Sequence, residues 1–232
     1  MKKIAVIIVV LMVGVMLLSE FSIASEQKKH LVDFLKEDKI EIKVHGRDIE
    51  SIVVSLRRKV PYRLIVLIPA GTYFVSTDRS VQNMVATKGE EVTLDTDSWK
   101  TLVIEAACAN MHKDVPSSQH NFTVQYSPTQ KELEKLIPIL EMAKAPFPVR
   151  QAAIWIVTDN ADFEELGTLR SGIGGFGPRV IDEEVAAKAM QICEKAGIDI
   201  TRKAIWRDRH TILKGLKAGE LRTWLEQKIE KF

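Results

Sequence analysis

The sequence predicts an α+β fold in which a β half precedes a helical half. Between Lys39 and Gln125, short runs rich in β-branched residues alternate with turn-forming segments. From Thr129 onward, apolar residues recur at helical rather than alternating spacing. Upstream of both, a pair of lysines followed by a continuous apolar run marks a targeting segment outside the fold.

That segment is Met-Lys-Lys, the apolar stretch from Ile4 to Leu18, then polar residues in which Ser22 and Ala24 are small and two apart. The order matches a secretory signal peptide over residues 1–24, cleaved after Ala24. The apolar stretch is shorter than the roughly 20 residues of a spanning helix, so an uncleaved membrane anchor is the alternative. The mature chain is then expected outside the cytoplasm, in the periplasm, at the cell surface or secreted. About 208 residues follow, enough for one large or two small cores.

Residues 25–38 form an entry segment in which Leu31, Phe34 and Leu35 suit a short helix. The β half, residues 39–126, contains IEIKV, IESIVVSL, RLIVLIP, TYFVS, VQNMVAT, EVTL, KTLVIEAA and NFTVQY. Turn segments such as HGRD, PAG, KGE and DTDS separate them, with Gly71 supplying positive φ between two strands. Seven or eight short strands at this spacing predict an immunoglobulin-like β-sandwich.

Ser-Pro-Thr at 127–129 opens the helical subdomain, residues 129–232. Leu133, Leu136, Ile137, Leu140 and Met142 mark a first helix over residues 129–145, which Pro138 is expected to kink or divide. Pro148 starts a second near its first position. That helix is apolar around most of its circumference, as a buried helix is, and so places Gln151 in or beside a core. The Gly-rich segment 167–178 follows a helix and lacks G-K-[ST], so it predicts a mobile linker rather than a phosphate loop. Residues 181–197 predict a helix with acidic residues in its first turn and Gly197 past its end. Asp199 or Thr201 suits a cap. Leu221, Trp224, Leu225, Lys228, Ile229 and Phe232 share one face of a final helix.

Charge and composition narrow the function. Thirty-three basic and 31 acidic residues give a net charge of +2 and are interspersed, without the basic face that nucleic-acid binding requires. The five histidines show no H-x-x-x-H or H-E-x-x-H spacing, and two cysteines at 108 and 193 make no zinc pair, so neither metal nor cofactor is expected. Asp159, Asp162, Glu164 and Glu165 could form a loose calcium site, but the EF-hand order is missing, and a helix end with solvated carboxylates is the simpler reading.

Cys108 and Cys193 could form a disulfide in an oxidising compartment, provided the fold brings their α-carbons within roughly 7 Å. Cys108 could serve a hydrolase or transferase, with His112 and Asp114 close in sequence, but no cysteine-enzyme signature surrounds it. A third reading pairs Cys108 with Gln151. A cysteine sulfur held against a glutamine carboxamide, away from water, can displace ammonia and leave an internal thioester.

At Cys108 and at Gln151, Ala153, Ile154 and Trp155, with Thr158 and Asp159 downstream, the chain resembles the TQXA-type thioester domains of bacterial surface adhesins. The resemblance implies a Cys108–Gln151 thioester, supporting roles for His112, Trp155, Thr158 and Asp159, and coupling to an amine on a protein or cell-surface partner. The expected function is exported, non-enzymatic binding or adhesion. The alternatives are the cysteine-dependent enzyme, or an envelope module in which Cys108 is a small buried hydrophobe and Gln151 bonds to backbone.

Overall fold

A computed structural model describes residues 26–171 and 176–231. The expected signal peptide, Phe232 and residues 172–175 of the Gly-rich segment lie outside the described residues. The chain is mixed α+β, about 37% helix and 29% strand.

A strand, β1 (Gln27–His30), and a short helix, α1 (Leu31–Lys36), precede eight further strands. These are β2 (Ile40–Asp48), β3 (Ser51–Arg58), β4 (Leu64–Ile68), β5 (Tyr73–Ser76), β6 (Asn83–Ala86), β7 (Glu90–Leu94), β8 (Lys100–Ala109) and β9 (Phe122–Gln125). Strands β1, β4 and β7 form a small sheet in that order, with β1 parallel to β4. The other six form an antiparallel sheet ordered β2-β3-β8-β6-β5-β9. This sheet nearly closes on itself. His45 bridges to Asn121 just before β9, and the Gly46 N–H donates to His120 O at 2.9 Å. Gly46 is needed there, because a Cβ would stand 2.5 Å from Ser117 O.

Alternation explains the strands. In β3, Ile52, Val54 and Leu56 are buried while Ser51, Val53 and Ser55 are less so. Gly71 has φ +89 in the turn before β5, where its N–H donates to Ala86 O, as the PAG turn predicts. β8 departs from alternation at its end: Ala106, Ala107, Cys108 and Ala109 are all buried. Up to Glu105 it pairs with β3, and from Ala106 to Ala109 with β6 on its other side.

The helical half covers the β8 edge that β3 leaves. It contains α2 (Gln130–Met142), α3 (Phe147–Thr158), α4 (Phe163–Leu166), α5 (Glu183–Lys195), α6 (Arg209–Gly215) and α7 (Glu220–Glu230), with two 3-10 turns between α5 and α6. Pro138 does not divide α2; it lies on the exposed face, where the carbonyl that loses its donor can be hydrated. Helix α3, with Pro148 in its first turn and every residue from Gln151 to Val157 buried, packs against both β8 and α5. Asp182 caps α5 by accepting from Val185 N, and Asp199 accepts from Thr201 N. Leu225 of α7 is fully buried, Trp224 Nε1 donates to Glu194 at 2.7 Å, and Lys228 pairs with the same carboxylate, so the predicted apolar face docks on α5. Beside the Gly-rich segment, Arg170 bridges to Arg179 and the Ser171 N–H donates to Pro178 O at 3.0 Å, which ties its two described flanks together.

Candidate functional site

Along β8 the main-chain groups of alternate residues point to the same edge. The Ala106 N–H on that edge donates to Glu50 O, in the β2–β3 turn, at 2.8 Å. Two residues further on, β3 has ended and the edge of Cys108 faces α3 instead. There the Cys108 N–H donates to Gln151 Oε1 at 3.1 Å, and Gln151 Nε2 donates to Cys108 O at 2.7 Å. Both residues have no exposed surface. The carboxamide therefore acts as one more peptide group in the ladder, which explains a fully buried glutamine among the apolar residues 152–157 of the helix.

The same helix holds the chain beyond Cys108. The Asp159 carboxylate accepts from Asn110 N at 3.2 Å and from Met111 N at 3.1 Å. Asn110 sits at φ +64, a conformation its short amide side chain tolerates. The Thr158 hydroxyl lies 2.7 Å from Asp159 Oδ2 and 2.9 Å from Ile154 O, which orients the carboxylate. Asn83 Nδ2 donates to Tyr73 Oη at 3.0 Å, and that hydroxyl lies 3.3 Å from Asn110 Oδ1. One helical turn before Asp159, Trp155 is buried beside the same segment. Preceding Gln151, Arg150 pairs with Glu50 at 3.1 Å across the joint between the halves.

Around the thiol the surroundings are soft and apolar. Cys108 Sγ lies 3.6 Å from Met84 Sδ and 3.8 Å from Ile49 O. Burial, reinforced by the Asp48 carboxylate, pushes the thiol up to about 12. The His112 Nε2 lies 3.3 Å from Glu165 Oε1, so the imidazole expected to support the cysteine is paired with a carboxylate. The disulfide alternative does not form: both cysteines are free thiols. Helix α3 lies between the elements that carry them, and Cys193 Sγ packs at 4.0 Å from Ala153 O.

Of the residues the sequence singles out, Cys108, Gln151, Thr158 and Asp159 meet in one connected arrangement with Trp155 beside it, and His112 does not join. Glu50, Asn110, Tyr73 and Asn83 belong to it without a local sequence cue, apart from the turn-forming Asn110 at a strand end. The acidic run after α3 is spent on structure, because Asp162 and Glu165 form the capping box of α4. Among the described residues no group of three or more His, Cys, Asp or Glu is placed to hold a metal ion, and no helix is long and apolar enough to cross a membrane.

Chemically, a main-chain N–H directed at the Gln151 carbonyl oxygen polarises it, as an oxyanion-hole donor does. Comparison with known protein families, with curated proteins and with solved structures finds no match for this chain.

Proposed function

We propose that this chain is an exported, non-enzymatic binding protein of the adhesion type, whose Cys108 and Gln151 condense into an internal thioester that couples to an amine of a protein or cell-surface partner. The observation that carries the reading is the reciprocal pairing of the Gln151 carboxamide with the Cys108 main chain, in a site shielded from water. In the condensation the sulfur bonds to Cδ of Gln151, the Cδ–Nε2 bond breaks, and the thiol proton leaves with the nitrogen as ammonia. The Cys108 N–H stabilises the charge that develops on Oε1. An incoming amine reverses the logic, forming an amide at Cδ and returning the proton to sulfur. The β half, two mostly antiparallel sheets sharing one core with the small helix α1, is read as a curled variant of the immunoglobulin-like sandwich.

A second reading is a structural lock in an envelope module without chemistry. It is favoured by the thiol pushed up to about 12, which leaves sulfur protonated at neutral pH, and by a carboxamide whose two polar atoms are both already bonded. The same protonated thiol, and the pairing of His112 with Glu165, weigh against a cysteine-dependent hydrolase.

Intact mass separates the readings. The thioester requires the mature chain to weigh one ammonia less than its sequence, methylamine to add as a whole molecule at Gln151 while freeing the thiol, leaving the chain one methylene heavier than its sequence, and Cys108→Ala or Gln151→Ala to remove both effects. Full sequence mass, with Cys108 freely alkylated after unfolding, leaves the lock.

A further inference from the structure

Two contacts of the Cys108 sulfur differ in kind. Met84 Sδ, at 3.6 Å, belongs to a fully buried residue of the large sheet, whereas Ile49 O, at 3.8 Å, belongs to the turn that joins β2 to β3. Asp48 and Glu50, on either side of Ile49, are exposed, so on that side a single layer of main chain parts the sulfur from solvent. The turn is poorly suited to its place. Asp48 pairs with Ser51, leaving Ile49 and Glu50 as a two-residue loop, and such loops in hairpins favour positive φ at one or both residues, which neither adopts. The pairing instead shifts register between Gly46 and Asp48. Side chains hold the loop: Asp48 Oδ1 accepts from Glu50 N at 2.9 Å and from Ser51 Oγ at 2.8 Å. Glu50 then fastens it to its surroundings, its carbonyl accepting from Ala106 N at 2.8 Å and its carboxylate from Arg150 Nη2 at 3.1 Å.

An ion pair whose partners are both partly exposed is weak and opens readily, and a turn without a preferred backbone conformation is not held closed by its own geometry. We propose that the Asp48–Ser51 turn is a gate over the Cys108–Gln151 site and that the Arg150–Glu50 pair is its latch, so that a thiol reagent or an amine reaches the site by local opening of this turn rather than by unfolding of the protein. Arg150 immediately precedes Gln151 on α3, so the latch ties the gate to the helix that carries the carboxamide. As control of amine coupling the gate rests on the thioester reading; as control of access to the sulfur it does not.

The test compares the native parent with Glu50→Gln, Arg150→Gln and the charge swap Glu50→Arg with Arg150→Glu. Intact mass first decides the readout. Where both thiols are free, it is the rate at which N-ethylmaleimide modifies Cys108, resolved from Cys193 by peptide mapping. Where an ammonia is missing, it is the rate of methylamine uptake at Gln151, so the gate is tested whether or not the thioester exists. Cys193 is fully buried and reports global opening through its own labelling. Each single variant should speed reaction at the site about 2- to 5-fold, the span of a surface ion pair, while Cys193 keeps its rate and the swap returns the site to the parent rate. Raising salt to about 0.5 M should speed the parent and leave Glu50→Gln unchanged. The two single substitutions change the local charge in opposite directions, so tuning of the site by charge alone would move their rates oppositely. Unchanged rates in both, rates that move oppositely, a swap as fast as the single variants, or Cys193 reacting in step with the site overturns the proposal.

Discussion

The carboxamide of Gln151 occupies, beside Cys108, the position left open because β3 starts only at Ser51, opposite Glu105. A helix side chain thereby completes a β ladder and joins the two halves of the molecule at a point with no access to water. Removing the amide strands both the N–H and the C=O of Cys108. Gln151→Leu is therefore expected to destabilise the protein by about 2–4 kcal/mol, since two buried backbone groups lose their partners while the volume is kept. Urea unfolding measures this, and a loss under about 0.5 kcal/mol, the range of ordinary surface changes, contradicts the lock.

The turn after Cys108 depends on Asp159 in the same way. Its carboxylate takes two main-chain N–H groups, one of them from Asn110 in the left-handed region. Asp159→Ala should cost about 1–3 kcal/mol. Asn110→Gly should be nearly neutral apart from the lost contact with Tyr73, whereas Asn110→Val should be strongly destabilising, because a β-branched side chain is strained at φ +64. Thermal unfolding of the three variants checks the ranking.

His30 gives a pH dependence of its own, at the start of α1. Its Nδ1 accepts from Val32 N at 3.0 Å and so caps α1, and its ring lies 4.9 Å from that of Tyr126. Burial lowers its pKa, Asp33 and Glu134 oppose this, and Lys36 adds to it. The folded state thus prefers the neutral ring, which is also the form that can accept. Its contribution is complete above the unfolded value near 6.5 and is lost as pH falls toward the lower folded value. His30→Asn keeps a capping acceptor without titrating, so its melting temperature should fall less than that of the parent between pH 7.5 and 5.

Much of this architecture was legible because one physical rule dominated locally. Alternation marked β3, since Ile52, Val54 and Leu56 face a core while their neighbours do not. Apolar residues on every side marked α3 as buried and Gln151 as a polar group needing a partner. Strand β1 was not legible, because Gln27-Lys-Lys-His carries no apolar pattern and is held by parallel pairing with Leu64–Leu67, a contact no local window contains. The near closure of the large sheet was hidden for the same reason, resting on a meeting of Gly46 with His120 and of His45 with Asn121. At the site, the motif brought Cys108 and Gln151 together, but it pointed to the thiol, while the partner of the carboxamide is the main chain. His112 was drawn in by proximity along the chain, and the loop turns it toward Glu165.

The two cysteines make a final prediction that also bears on the thioester. Burial raises the pKa of both thiols from the ordinary value of 9.0 to about 12. Below pH 9 the native and unfolded chains both keep these protons, and the contribution to stability is complete. Above pH 9 the unfolded chain releases protons that the native one retains, so stability falls with rising pH until the native thiols titrate near 12. With two free thiols the slope of unfolding free energy between pH 9 and 11 should be reduced by about half in Cys193→Ala, after other alkaline groups are subtracted as those common to both proteins. If Cys108 is acylated by Gln151, it has no proton to release. Cys193→Ala should then remove the whole cysteine-dependent slope, and Cys108→Ala should create no further change in it. Chemical denaturation of the parent and the two variants at several pH values distinguishes these outcomes without relying on mass.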